Sequence, residues 1–68
     1  MILLINGTEQ SFNTNLNLTQ LLTELKIDTE RQGLALCLNM QVIPRQSWEL
    51  TSLKEQDRVE IVIAAPGG

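Results

Sequence analysis

The sequence predicts an α+β domain in which one main helix packs on a mixed sheet of four to five strands, and three observations support this prediction. Apolar runs open the chain (MILLI) and nearly close it (RVEIVIA). Between them, the stretch NLNLTQLLTELKI places its leucines at helical spacing. A third apolar run, LALCLN, has the length of a strand. With 68 residues, of which 43% are hydrophobic, the chain is predicted to form one small domain with its own core.

The first two strands are predicted to form a hairpin. MILLI is the first strand, and Asn6-Gly7 follows it, a dipeptide that favours tight hairpin turns. The second strand is predicted in EQSFNT. The hairpin therefore supplies one antiparallel pair of the sheet.

The main helix is predicted over residues 18–25. Asn17 is a good N-cap, and Gln20 is placed to complete a capping box. Four leucines fall at i, i+3, i+4 and i+7 and are expected to be buried on one face: Leu18, Leu21, Leu22 and Leu25.

The second half of the chain is predicted to add the remaining strands. Gly33 marks a turn, LALCLN is the third strand, and MQVIPR forms a turn and a short edge strand, because Pro44 cannot donate to a central ladder. QSWELTSLKEQD is predicted as a long connection, and RVEIVIA as the last strand. One helix on one face of this β-β-α-β-β-β order is the β-grasp, or ubiquitin-like, arrangement. We expect the domain to span residues 1–64, followed by a flexible tail over residues 65–68.

A second apolar face is predicted on the side of the sheet away from the helix. ILLI and IVIAA do not alternate apolar and polar residues as a strand with one solvated face does. If Glu60 points to water, Val62 and Ala64 share its face. We expect Ile2, Leu4, Val62 and Ala64 to form a surface for a partner protein, the alternative being exposed apolar residues without a role.

Composition excludes several classes of function. The net charge is −3 and the five basic residues are scattered, so we expect no nucleic-acid binding. The longest apolar run, MILLI, is far shorter than the roughly 20 residues of a membrane span, so we expect no membrane insertion. Because histidine is absent, a Cys/His zinc site and a His-dependent triad are excluded. We therefore predict no metal site and no catalytic residue.

The single cysteine is interpreted as a packed thiol or as part of an apolar surface. Cys37 lies among leucines without a visible cation that would favour the thiolate, and it has no partner for an internal disulfide. A lone thiol fits a reducing compartment, and the start of the chain lacks the features of a signal peptide. The expected location is the cytoplasm or the plastid stroma.

The last two residues, Gly67 and Gly68, raise a question, because glycine packs no side chain at the end of a small fold. Five residues follow Ile63, and they reach about 17 Å when extended. Such a tail fits a narrow channel, and its α-carboxyl group, with an ordinary pKa of about 3.5, is ionised at pH 7. Attack on the α-phosphate of ATP would form an acyl adenylate. We predict Gly68 as the reacting residue, with Ala65, Pro66 and Gly67 threading the channel.

The segment LALCLNMQVIPRQSW resembles the ThiS family, the ubiquitin-like sulfur carrier proteins of thiazole formation in thiamine biosynthesis. The resemblance covers essentially the whole chain, and it is most specific at Asn39, residues 42–45 and Trp48. NGT, LLTEL and the terminal Gly-Gly also fit. Two departures are Pro66, which restricts the backbone before the glycines, and EQD, where the family often has Gly-Asp.

The resemblance implies a carrier rather than an enzyme. An E1-like adenylyltransferase would activate Gly68 with ATP and magnesium, and sulfur drawn from cysteine by a cysteine desulfurase would convert it to a thiocarboxylate. Thiazole synthase would then take the sulfur, so no cofactor is expected on this chain. Arg45 and Trp48 are expected to be structural, Arg45 on the surface and Trp48 at the edge of the domain.

Three alternative hypotheses stay open. The small subunit of molybdopterin synthase shares the fold, the tail and the thiocarboxylate, although those chains tend to be longer. A ubiquitin-type protein modifier would be found in covalent conjugates. A plain β-grasp interaction domain would have terminal glycines that are incidental.

Overall fold

The computed structural model describes residues 1–13 and 15–65, and within them five strands form one mixed sheet. The strands are β1 (Ile2–Ile5), β2 (Thr8–Ser11), β3 (Leu34–Leu38), β4 (Gln41–Ile43) and β5 (Arg58–Ile63). Their order across the sheet is β2-β1-β5-β3-β4. Strands β1 and β5 are parallel and the other neighbours are antiparallel. With helix α1 (Leu18–Glu24), this confirms the predicted fold class and makes β5 the central strand.

The hairpin of β1 and β2 forms where the Asn-Gly dipeptide predicted it. Asn6 and Gly7 have φ values of 50° and 85°, the left-handed pair that a tight hairpin turn requires. Strand β2 ends at Ser11, which is earlier than predicted. All four of its side chains are exposed, so this edge strand contributes pairing rather than core.

Helix α1 has the predicted capping box. The backbone N–H of Gln20 donates to Asn17 Oδ1 at 2.8 Å, and the backbone N–H of Asn17 donates to Gln20 Oε1 at 2.9 Å. Three of the four predicted leucines are buried: Leu18, Leu21 and Leu22. The helix ends one residue earlier than predicted, because Leu25 is its C-cap and is only half-buried. Lys26, at φ 61°, then turns the chain away from the helix.

The core lies between helix α1 and the inner face of the sheet. Its buried side chains are Leu3, Ile5, Leu16, Leu18, Leu21, Leu22, Leu34, Leu36, Trp48, Leu53 and Val59. Leu3 and Ile5 come from one face of β1, as expected for side chains that alternate along a strand. Val59 brings the central strand β5 into the same core.

A 3-10 helix occupies the first part of the segment that the sequence predicted as a long connection. It spans Arg45–Leu50 and begins after Pro44, which is its N-cap. Trp48 is buried in the core rather than at the edge of the domain, and its Nε1 donates to the Ile43 carbonyl at 2.8 Å. The bond satisfies the indole N–H, so the large ring is buried without an unpaired donor. Within the part of the chain that the structure describes, neither helix is long and apolar enough to cross a membrane.

Candidate functional site

The C-terminal end of β5 leads into the predicted tail, and hydrogen bonds from both neighbouring sides hold this strand end. On the β1 side, the Ile61 amide donates to Asn6 Oδ1 at 2.6 Å, and Asn6 Nδ2 donates to the Ile61 carbonyl at 3.1 Å. On the β3 side, the Ala64 amide donates to the Gly33 carbonyl at 3.0 Å. Among residues 1–13 and 15–65, this last hydrogen bond is the one nearest to the C-terminus. The predicted tail therefore begins directly after a fixed backbone position.

The N-terminal end of β5 has a denser set of hydrogen bonds. The Arg58 amide donates to Asn39 Oδ1 at 2.9 Å, and the Asn39 amide donates to the Arg58 carbonyl at 2.8 Å. Asn39 Nδ2 also donates to Asp57 Oδ1 at 3.0 Å, while Asp57 Oδ2 accepts from the Lys54 amide at 2.7 Å. These bonds give Asn39, a residue of the resemblance, and Asp57 a role in closing the turn before β5.

The outer face of the sheet is the side away from α1. Val62 is 54% exposed there, and Ala64 is also exposed. Ile2 and Leu4 lie on the same side but are half-buried. Leu4 is paired with Arg58, and Glu60 stands between Arg58 and Val62 along β5. The four predicted surface residues therefore form two apolar areas, separated by one basic and one acidic side chain.

Strand β4 enlarges the apolar area around Val62, which the sequence analysis missed. Ala35 is the neighbour of Val62 on β3, and Cys37 is the neighbour of Val42 on β4. Val42 is 70% exposed and Cys37 is half-buried with a free thiol. The prediction treated MQV as a turn, so it gave Val42 no place on a sheet face. Only the pairing with β3 assigns it there.

Arg45 lies at the surface as predicted, and its guanidinium makes hydrogen bonds and a stacking contact within the domain. Nη2 donates to the Arg31 carbonyl at 3.1 Å, and Nη1 donates to the Thr29 carbonyl. The same guanidinium stacks on Trp48, with its Cζ 4.6 Å from the ring centroid. Arg45 thus ties the loop after α1 to the buried indole.

Of the predicted tail, the structure describes only Ala65, which is exposed. Pro66, Gly67 and Gly68 lie outside the described residues. Within the described part of the chain, no cluster of three or more potential metal ligands occurs. The candidate site is therefore the end of β5 with the outer face around Val62.

A mixed five-stranded sheet with one helix on its inner face and a Gly-Gly sequence after the central strand defines a ubiquitin-like β-grasp domain. Comparison with family models narrows this class. The model of the ThiS family matches residues 3–68, which is nearly the whole sequence and includes Gly68. The chain belongs to the ThiS family.

Solved structures agree with that assignment. The crystal structure of a thiamine biosynthesis protein (ThiS) from Geobacter metallireducens superposes with a TM-score of 0.85 at 31% identity, covering 100% of both chains. An NMR solution structure of a thiamine biosynthesis protein from the same organism gives a TM-score of 0.82 at 31% identity, covering 100% of this chain and 88% of that one. The fold and the length of this chain are therefore similar to those of the solved proteins.

A curated relative has a different size. The chain is 32% identical over 68 residues to a thiazole synthase from Paramagnetospirillum magneticum. The match covers 100% of this chain but 20% of that protein, so this chain spans about a fifth of that relative.

Proposed function

We propose that this protein is a sulfur carrier in thiamine biosynthesis, whose Gly68 carboxylate is adenylated and then converted to a thiocarboxylate. The family match that runs through Gly68 supports this proposal most directly. The exit of the chain from the centre of a well-tied sheet supports it as well, because the folded domain can stay intact while a short terminal segment enters an enzyme.

The proposed chemistry takes place in two steps on the terminal carboxylate. A carboxylate oxygen of Gly68 attacks the α-phosphorus of ATP, forms the C–O–P link of an acyl adenylate and releases pyrophosphate. Sulfide, or a donor at the same oxidation level, then attacks the carbonyl carbon and displaces AMP, which leaves the thiocarboxylate. The activating partner is an E1-like adenylyltransferase, which uses ATP and magnesium. The sulfur comes ultimately from cysteine through a cysteine desulfurase, and a thiol reductant reduces the persulfide of that enzyme to sulfide.

Thiazole synthase is the proposed acceptor of the sulfur. A relative that carries the name thiazole synthase contains a stretch similar to this whole chain, which supports a functional link between the two. In this proposal the protein is a co-substrate and not an enzyme. The exposed apolar area around Val62 is the surface that we propose for docking the partner enzymes.

The intact mass of the protein tests the proposal. After incubation with ATP, magnesium, an E1-like adenylyltransferase of the family and inorganic sulfide, we expect one oxygen to be replaced by sulfur. Fragmentation should locate the change at Gly68. Sulfur on Cys37 instead would identify a persulfide carrier and contradict the proposed mechanism.

Two tail variants extend this test. One residue added after Gly68 should abolish the reaction, because the Gly68 carboxylate becomes an amide. Gly67→Val should block adenylation, because a branched side chain obstructs a close backbone approach, while the free energy of unfolding stays unchanged. Gly7→Ala is the control at a glycine remote from the tail in sequence. Full activity of both tail variants would favour a plain interaction domain, and lysine-linked conjugates in cells would favour a protein modifier.

A further inference from the structure

Gly33 touches the end of β5 more closely than any side chain would permit. Its carbonyl accepts the Ala64 amide at 3.0 Å, and its φ is 80°. A Cβ added at Gly33 would lie 2.8 Å from the Ala64 carbonyl oxygen and 3.3 Å from the Ala64 Cβ. The first distance is shorter than real Cβ contacts, and the obstructing atom belongs to the backbone. Any side chain at position 33 therefore displaces Ala64 or the loop before it.

Gly7 shows that the left-handed backbone alone does not account for this glycine. Its φ is 85°, nearly the same as that of Gly33, yet an added Cβ would meet nothing within 4 Å. Both positions favour glycine for backbone reasons. Only at Gly33 is the absence of a side chain also required, because Ala64 lies where an added Cβ would make contact.

The loop that holds Gly33 is fastened to the core. Arg45 binds the carbonyls of Thr29 and Arg31, and it stacks on Trp48. Trp48 is buried and donates to the Ile43 carbonyl. A continuous series of contacts thus runs from the core through Arg45 to the backbone that precedes Gly33.

Asn6 restrains the same end of β5 from the opposite side. The parallel pairing of β1 with β5 covers Leu4 with Arg58 and Ile5 with Val59. Beyond this pairing, the side chain of Asn6 accepts a hydrogen bond from the Ile61 N–H and donates one to the Ile61 carbonyl, as the backbone of a further strand residue would. The C-terminal end of the central strand is therefore positioned by Asn6 on the β1 side and by Gly33 on the β3 side.

We propose that Gly33, whose loop is held by Arg45, is a positioning residue that fixes where and in which direction the chain leaves the sheet at Ala64. This inference rests on the proposed function, in which the Gly68 carboxylate has to meet the α-phosphate of ATP inside a partner. When the tail is held extended in the narrow channel predicted from the sequence, only three residues lie between Ala64 and Gly68, so a displacement of Ala64 is carried to the reacting carboxylate. Misplacement of a reacting group by about 1 Å costs on the order of a hundredfold in rate.

The matched variants Gly33→Ala and Gly7→Ala separate this role from backbone strain. Both add one methyl group at a φ that disfavours alanine, but only the first displaces Ala64. The rate of AMP release with the adenylyltransferase, ATP and sulfide is measured at varied carrier concentration. For Gly33→Ala we expect kcat to fall by roughly ten- to hundredfold, with the KM for the carrier changed by less than about twofold because docking is retained. Gly7→Ala should keep both constants.

Amide hydrogen exchange supplies a readout that does not depend on activity. In Gly33→Ala the Ala64 amide should lose protection, whereas amides in the centre of β5 should keep theirs. In Gly7→Ala the Ala64 amide should exchange as in the unchanged protein.

Arg45→Lys is the second variant, and it decides the matter if Gly33→Ala does not fold. Lysine keeps the positive charge but cannot bond two carbonyls in the fixed geometry of a guanidinium. Its control is Arg31→Lys, which changes an exposed arginine of the loop before Gly33 and leaves intact the backbone carbonyl that Arg45 binds. We expect only Arg45→Lys to lower kcat and to release the Ala64 amide.

The outcomes distinguish this inference from the proposed function. If the unchanged protein is adenylated, equal kinetics for Gly33→Ala and Gly7→Ala, or a loss confined to KM, overturns the positioning role alone. If the unchanged protein is never adenylated, the proposed function fails and this role fails with it.

Discussion

Strand β5 begins and ends in different surroundings, although both ends belong to the central strand of the same sheet. At its start, Asn39 and Asp57 bind several backbone and side-chain groups, and Val59 is only 1% exposed. At its end, Val62 is 54% exposed and one hydrogen bond holds Ala64. The start of the strand is part of the core, whereas the end of the strand is where the proposed function places the contact with a partner.

This difference separates two requirements within six residues. Burial and dense hydrogen bonding at the start stabilise the fold. At the end, Val62 and Ala64 are exposed, and among residues 1–13 and 15–65 the Ala64 amide makes the backbone hydrogen bond nearest to the C-terminus. A substitution at the start is therefore expected to affect stability, and one at the end to affect partner recognition.

The largest effect is expected for Val59→Asp. A carboxylate at this buried position has no cationic partner in the core and costs several kcal/mol. A loss of that size is comparable to the whole stability of a small domain, about 5–15 kcal/mol. We expect the variant to lose its dispersed NMR spectrum at pH 7. A folded spectrum would contradict the assignment of Val59 to the core.

The substitutions Asn39→Gly and Asn6→Gly compare the two ends of β5 with smaller expected losses of stability than Val59→Asp. Both residues have a φ of 50°, so glycine keeps the backbone and removes only the side-chain bonds. We expect Asn39→Gly to lower the free energy of unfolding by roughly 1–2 kcal/mol and Asn6→Gly by about 1 kcal/mol, since solvent replaces part of each bond. Urea denaturation measures both.

Hydrogen exchange distinguishes the members of this pair. Asn6→Gly should release the Ile61 amide, whose acceptor it removes, while Asn39→Gly should leave that amide protected. Equal exchange at Ile61 in the two variants would show that the ends of β5 are not held independently.

The smallest effect on stability is expected for Val62→Asp, which rests on the proposed docking surface. The side chain is exposed, so the free energy of unfolding should change by less than about 0.5 kcal/mol. Calorimetric titration with the adenylyltransferase should show binding weakened by roughly tenfold or more, because a charge is placed against an apolar contact.

Leu50→Asp is the control for Val62→Asp. Leu50 is 83% exposed at the end of the 3-10 helix, outside the sheet. It should bind the partner as the unchanged protein does. Equal weakening by both substitutions would argue against a docking surface around Val62.

Much of the fold was predictable because its signals are local. The Asn6-Gly7 turn, the Asn17 cap and the leucine spacing of α1 each depend on residues near one another in sequence. The terminal Gly-Gly was also visible, because no packing role competes with it. The family followed from the segment around Asn39 and Trp48, and the family model confirms it.

The missed features depend on contacts between distant segments. Six residues of 3-10 helix give no hydrophobic period, so the burial of Trp48 was not apparent from its neighbours. Val42 joins the outer face only through pairing with β3. Gly33 was recognised as a turn residue, but its close approach to Ala64 depends on the alignment of β3 with β5. Strand register of this kind is set by the whole sheet.

The central position of β5 has a mechanical consequence. Traction on the C-terminus acts along β5, while its hydrogen bonds to β1 and β3 lie across that direction. Such a force loads several hydrogen bonds at once in shear. A force that peels a strand from the edge of the sheet instead breaks its hydrogen bonds one after another. An optical trap that pulls between residue 1 and the C-terminus should record a higher unfolding force than one that pulls β2 sideways from the sheet. We therefore expect the domain to resist unfolding when its C-terminus is pulled, as it would be if an enzyme bound the last residues as proposed.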